Sequence, residues 1–209
     1  MKIIEKLKTQ KEFKNSFLTL SGNLISQGMS FVVTVLLSRS MSVGDYGLYS
    51  VLNSISTFVT DMADLGMNGA ITRFVAEYHG KNESDKENQI INYAIRRKVR
   101  SLVVVFIALV LLAKPIAHFF LHDTSLYHYV YFIVLTCMFS LFVGAMRAII
   151  QGRQEYEKLF ISVVSWNLVW MIVILLMFVT NRMTIVASIM AGAISGAVNL
   201  VICSVLLKI

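Results

Sequence analysis

Four stretches of this 209-residue chain run for more than 20 residues without a charged side chain: Asn15–Ser38, Thr124–Met146, Leu159–Asn181 and Met183–Leu207. A helix needs about 20 mostly apolar residues to cross a bilayer. The runs are apolar on consecutive positions, whereas a membrane β-barrel strand alternates over about ten residues. Two further runs are less clean. Tyr46–Thr60 meets Asp61 and Asp64, and Ser101–Ala113 meets Lys114. A lysine near a helix end snorkels to the interface, so the second run extends to Leu121. The expectation is an all-α integral membrane protein, one domain over residues 1–209. Its six transmembrane helices are expected at about 15–38, 44–68, 99–121, 124–147, 159–181 and 183–207.

Composition excludes the other broad classes. The chain is 56% hydrophobic and only 15% charged, against about 25% charged in soluble domains. That rules out a soluble enzyme and a disordered chain. Two cysteines and one proline leave no disulfide framework. The net charge of +7 is explained by its distribution. All but Arg39, Lys114 and Arg182 of the 19 lysines and arginines fall in the N-tail, the second and fourth connections and the C-tail. By the positive-inside rule both termini are expected in the cytoplasm. Nucleic acid is not an expected partner. The first apolar run, 24 residues long, exceeds a usual signal-peptide core and reads as a retained span.

The outer connections are short. The largest polar stretch, His79–Asn88, reads as a solvated loop between spans two and three. Span two is expected to be one long helix from Gly44 to Tyr78. Its 35 residues would measure about 52 Å, placing Asp61 and Asp64 near the inner edge of the bilayer.

Polar groups recur at helical spacing. Span one carries Thr19, Asn23, Gln27, Ser30, Thr34 and Ser38; span two carries Asn53, Thr57, Asp61, Asp64 and Asn68. Span four carries Thr136, Ser140, Gly144, Arg147 and Gln151, and span six Ser188, Gly192, Ser195, Asn199 and Cys203. Two explanations compete. Small and hydroxyl residues let helices approach closely, which suits span six with its Gly192/Gly196 pair. Larger and ionisable groups in a membrane face a cavity or one another, and a hydrated cavity is expected beside the stripes of spans one and two.

Catalytic motifs are absent: no phosphate-binding loop, no His-Glu-x-x-His and no Gly-x-Ser-x-Gly. The chain is expected not to be an enzyme and to carry no cofactor or metal. His118, His122, Asp123 and His128 cluster weakly near the outer face, but nothing supplies a settled ligand set. Cys137 and Cys203 read as core residues, and Trp166 and Trp170 as mid-span packing.

At this point the residues resemble a family. Leu36-Leu37-Ser38-Arg39 followed by Gly44-Asp45-Tyr46-Gly47-Leu48-Tyr49 is similar to the first-loop signature of bacterial polysaccharide flippases. Asp64-Leu65-Gly66 and Arg73-Phe74-Val75-Ala76-Glu77 resemble the second-helix signature, and Gln151-Gly152 with Tyr156 the end of the fourth helix. Met41-Ser42-Val43 stands where Leu-Gly-Pro is usual. These are the O-antigen and lipid-linked oligosaccharide flippases, relatives of the MATE antiporters. Members usually have 12 to 14 spans in two six-helix lobes, so this chain corresponds to the first lobe. Two explanations follow: a truncated product or fragment, which is preferred, or a homodimer in which a second copy supplies the other lobe.

The resemblance implies a transporter in the bacterial cytoplasmic membrane that moves oligosaccharide on an undecaprenyl diphosphate carrier, for surface polysaccharide such as lipopolysaccharide. Its partners would be that lipid-linked oligosaccharide, membrane lipids and a second lobe. Arg147, on the span-four stripe, is the first candidate for a cavity cation. Arg39 and Arg73 follow from the family motifs, since arginine suits phosphate through its fork of donors. Asp61 and Asp64 would pair with these arginines, carry a coupling proton or mark the interface. Asn23, Gln27 and Asn53 are candidate sugar contacts. A MATE-like drug antiporter and a non-transporting scaffold are the alternatives.

Overall fold

The computed structural model describes residues 2–121 and 124–207, with side chains from residue 13 onward. Among the described residues seven α-helices follow one another: α1 (Lys2–Ser40), α2 (Val43–Asp64), α3 (Met67–Gly80), α4 (Ser84–Phe120), α5 (Tyr127–Gly152), α6 (Tyr156–Val179) and α7 (Ile185–Leu207). A single 3-10 turn, Thr124–Leu126, precedes α5. The described residues contain no strand.

Among the described residues five segments are long and apolar enough to cross a membrane: Phe13–Ser40, Ser84–Phe120, Thr124–Gly152, Tyr156–Val179 and Ile185–Leu207. They contain or overlap the runs at 15–38, 99–121, 124–147, 159–181 and 183–207. The fifth run overshoots, because α6 is capped at Thr180 and Asn181 adopts φ 54°. With 22 residues, α2 spans about 33 Å. It is close in length to α6 and α7 but carries Asp45, Asp61 and Asp64 and is not among the five.

Two expectations about the second span are corrected. The helix from Gly44 to Tyr78 is broken at Leu65–Gly66, so the span at 44–68 crosses a break. Leu65 (φ 47°, ψ 37°) and Gly66 (φ 73°, ψ 11°) are both left-handed, and the Leu65 amide closes α2 on the Asp61 carbonyl. The Asp64 carboxylate then accepts from the Asn68 amide at 3.2 Å, which satisfies one of the orphan donors at the start of α3. The stretch His79–Asn88 is not one loop. Only residues 81–83 are non-helical, and α4 begins at Ser84. Most of the stretch is nonetheless exposed, apart from the buried Glu87.

The long helices alternate in direction, which gives the bundle two ends. The short connections after Ser40, Phe120 and Val179 form the turn end. The opposite end carries Arg73, Arg96, Arg97, Arg100, Arg147 and Arg153 and is called the basic end. Helix α5 lies at the centre, packed on α2, α3, α4 and α7, while α1 packs chiefly on α6. One apolar cluster around Val33, Leu37, Leu52, Ile133 and Ile174 ties α1, α2, α5 and α6 near the turn end. A second, around Ile71, Val75, Ile91, Ile149 and Cys203, ties α3, α4, α5 and α7 near the basic end.

Two glycines set the closest helix crossings. A methyl group on Gly196 of α7 would lie 2.6 Å from Phe139 Cβ and 3.2 Å from the Trp166 ring. One on Gly152 would lie 2.8 Å from Val75 Cβ and 2.9 Å from the Thr72 carbonyl oxygen. The packing role read for span six therefore belongs to Gly196, whereas the same test at Gly192 meets nothing nearer than Thr136 at 3.8 Å. Exposed Val104, Phe106, Ile107 and Leu111 on α4 and Leu176 and Val179 on α6 form an apolar outer surface. In water such a surface would drive association; in hydrocarbon it costs nothing.

Candidate functional site

Between α2, α5, α6 and α7 lies a cleft of about 260 Å³. Helix α2 contributes Asn53, Thr57 and Asp61; α5 contributes Thr136 and Ser140; α6 contributes Trp166, Asn167 and Trp170. Ser188 and Gly192 of α7 complete the lining. Apolar contacts of Val33 and Leu37 with the cluster holding Tyr49 and Leu52 join α1 to α2 near the turn end. On the α1 side, Ser30 Oγ bonds Asn167 Oδ1 at 3.1 Å.

Toward the basic end a second groove, of about 490 Å³, runs between α3 and α5. Asn68, Thr72 and Arg73 line one wall and Gly144, Arg147 and Gln151 the other. The two spaces follow one stripe: Thr136 and Ser140 face the cleft, and Gly144, Arg147 and Gln151, one to three turns further along α5, face the groove. Close approach is what Gly144 permits, since a methyl there would lie 3.0 Å from Asn68 Nδ2.

Arg147 is held by neutral groups alone. Its Nε donates to Ser162 Oγ at 2.9 Å, and its Nη2 donates to the Ser162 carbonyl at 3.0 Å and to Asn199 Oδ1 at 3.4 Å. The guanidinium carbon lies 5.5 Å from the centre of the Trp166 ring, a cation–π contact. Ser162 and Asn199 are fully buried and bonded to each other, so the mount is rigid. Arg147 forms no ion pair with any carboxylate among the described residues.

The two aspartates differ. Asp64 is engaged: buried Lys98 donates to it and, at 3.0 Å, to Asn68 Oδ1. Its partner is a lysine, not one of the candidate arginines. Asp61 is exposed on the cleft and forms no ion pair among the described residues.

The remaining candidates are distributed. Arg73 is exposed and shares the groove with Arg147. Arg39 is exposed in the last turn of α1, at the turn end, and does not join them. Asn53 lines the cleft. Asn23 lines a narrow crevice of about 30 Å³ between α1 and α6, beside Phe160, and Gln27 is exposed on the same helix. Along these stripes Thr19, Thr34 and Thr57 bond the carbonyls four residues back, at 2.9–3.0 Å. Asn23, Gln27 and Asn53 are exposed.

Sequence reasoning missed Lys98 of α4, the partner of Asp64, and the placing of Asn167, Trp166 and Trp170, which line the cleft. Their steps along α6 carried the signal, because Trp166 and Trp170 lie one turn apart on one face with Asn167 beside them. In the histidine cluster, His122 and Asp123 lie outside the described residues. His118 and His128 make ring contacts with Phe119, Tyr127 and Tyr129, and among the described residues no three metal-ligating side chains group together.

Neither the curated proteins nor the solved structures contain a significant match to the chain. The family described as polysaccharide biosynthesis protein matches residues 13–208, nearly the whole chain and every element that builds the cleft and the groove. A multi-pass helical bundle with an apolar outer surface and a polar inner stripe thus belongs to the polysaccharide biosynthesis protein family.

Proposed function

We propose that the chain is one six-helix lobe of a flippase that moves undecaprenyl-diphosphate-linked oligosaccharide across the bacterial cytoplasmic membrane, as a transporter rather than an enzyme. The observation that carries this reading is Arg147: a guanidinium recessed against Trp166, fixed by Ser162 and Asn199, and facing a groove with Arg73 but with no carboxylate partner among the described residues. A cation in low dielectric is costly without a counter-charge. A diphosphate satisfies it, and arginine matches phosphate oxygens bidentately. The exposed amides and hydroxyls above the groove suit a sugar, and the apolar outer surface suits the lipid tail. In this reading α2 is the sixth span and the basic end is cytoplasmic.

The cleft and the groove both open at the surface of the lobe, where Asn53, Thr57, Asp61 and Arg73 are exposed, so in this reading the transport path closes against a second six-helix unit. For this chain alone that unit is a second copy. Rocking of one lobe against the other then exposes the groove alternately to either side.

The test is translocation of a fluorescent undecaprenyl-diphosphate oligosaccharide in proteoliposomes, read by accessibility to a membrane-impermeant quencher. The assembled wild-type protein is expected to expose the probe on both faces, and Arg147→Ala to lower the rate at least tenfold. Translocation at the wild-type rate in Arg147→Ala would remove the assignment. Native mass spectrometry in nanodiscs tests the second copy, and a monomer at every concentration would exclude it.

A further inference from the structure

The groove and the cleft hold opposite uncompensated charges along one path. Arg147 has no carboxylate partner, and Asp61 has no cationic one among the described residues. Asp61 shares its cleft with Ser140, and Ser140 precedes Arg147 by two turns on the same face of α5, about 10 Å along the axis. Between these levels stands Trp166, with the guanidinium on its ring and its side chain lining the cleft. A phosphate held at Arg147 therefore puts whatever is attached to it beside Trp166, then against Asp61 and Asn53.

We infer that Asp61 selects the sugars nearest the diphosphate by rejecting anionic ones. This rests on the reading of the groove as a diphosphate site and adds a specificity residue to it. A carboxylate accepts hydrogen bonds from sugar hydroxyls or from the N–H of an acetamido group. The Trp170 side chain in the cleft wall suits the apolar face of a pyranose ring. A uronate or phosphorylated sugar at that level places a second anion against Asp61, with no cation paired to Asp61 among the described residues to absorb the repulsion. Arg147, on its mount, stays at the phosphate. Discrimination by a repulsive charge of this kind is how a site rejects a competitor of the same size. Lys98 of α4 does not compensate Asp61, because it is already committed to Asp64 and Asn68.

The chain reports its own occupancy, because its two tryptophans, Trp166 and Trp170, both line the cleft. Tryptophan fluorescence of the full chain in nanodiscs is titrated with three short-tailed probes: citronellyl diphosphate, its N-acetylglucosaminyl derivative and its glucuronyl derivative. The wild-type protein is expected to bind the acetamido sugar at least about tenfold more tightly than the uronate. In Asp61→Asn, which keeps the shape of an exposed side chain, the ratio is expected to fall to within about twofold through a gain in uronate binding. A ratio unchanged in Asp61→Asn, or near one in the wild-type protein, overturns the inference while the diphosphate site stands. Failure of citronellyl diphosphate itself to bind the wild-type protein overturns the diphosphate site and the inference with it.

Discussion

Lys98 reaches across the break between α2 and α3 to pair with Asp64, and does so from a position only 1% exposed. The same ammonium bonds Asn68 Oδ1 at 3.0 Å, and Asn68 stands against Gly144 at the top of the arginine groove. One buried cation thus fixes both sides of the break. Replacing it with methionine leaves Asp64 without its partner, a loss that costs about 3 kcal/mol for buried pairs. Lys98→Met is expected to lower the thermal midpoint in detergent markedly, and Lys98→Met with Asp64→Asn to recover part of the loss. Equal midpoints for wild type and Lys98→Met would show that the pair does not hold the break.

The glycines separate into two behaviours. Gly152→Ala drives a methyl to 2.9 Å from the backbone oxygen of Thr72 and 2.8 Å from Val75 Cβ, and a backbone atom cannot rotate away. Overpacking of this kind costs about 2 kcal/mol. Gly28→Ala meets nothing within 4 Å and gains helix propensity of up to about 1 kcal/mol. Thermal midpoints of the two variants are expected to move in opposite directions. A destabilised Gly28→Ala beside a neutral Gly152→Ala would contradict the α3–α5 crossing.

At the basic end Glu87 bridges three helix ends. Its Oε1 accepts from Arg153 Nε at 2.6 Å, its Oε2 faces His79 Nδ1 at 3.0 Å, and the side chain is 6% exposed. Glu87→Gln keeps the volume but removes the charge from the Arg153 contact and is expected to cost about 1–2 kcal/mol. Proteolysis at residues 81–83 is the readout, because the bridge pins the α3–α4 turn. Faster cleavage in Glu87→Gln than in wild type is expected, and identical rates would count against the bridge.

How much was legible follows from which forces are local. The charge-free runs announce the long helices because each residue in them is apolar whatever its neighbours do. The break at Leu65–Gly66 is different: a leucine at φ 47° is disfavoured by its own chemistry and is held there by Asp64, Asn68 and Lys98, the last 34 residues from Asp64. The Gly66 after an aspartate was the available signal. Lys98 reads as one more basic residue at a membrane face until α3 folds back on α4 and buries it. Arg147 stood out because its spacing from Ser140 and Gly144 is local to α5. Its holders, Ser162 and Asn199, come from two other helices, and no spacing rule joins them.

The mount on Arg147 makes the last expectation specific to geometry. Three donor contacts and the Trp166 ring fix the plane of the guanidinium, so charge alone is not its whole contribution. Arg147→Lys keeps the charge but cannot reach Ser162 and Asn199 together or stack as a plane on Trp166. Inorganic pyrophosphate is expected to raise the thermal midpoint of the wild-type protein by binding the folded state. Arg147→Lys is expected to shift less, and Arg147→Gln not at all. A full pyrophosphate response in Arg147→Gln would place the anion on Arg73 or on the exposed Arg97 and Arg100 instead. A full response in Arg147→Lys with none in Arg147→Gln would mean that the groove reads charge and that the Ser162–Asn199 mount serves packing alone.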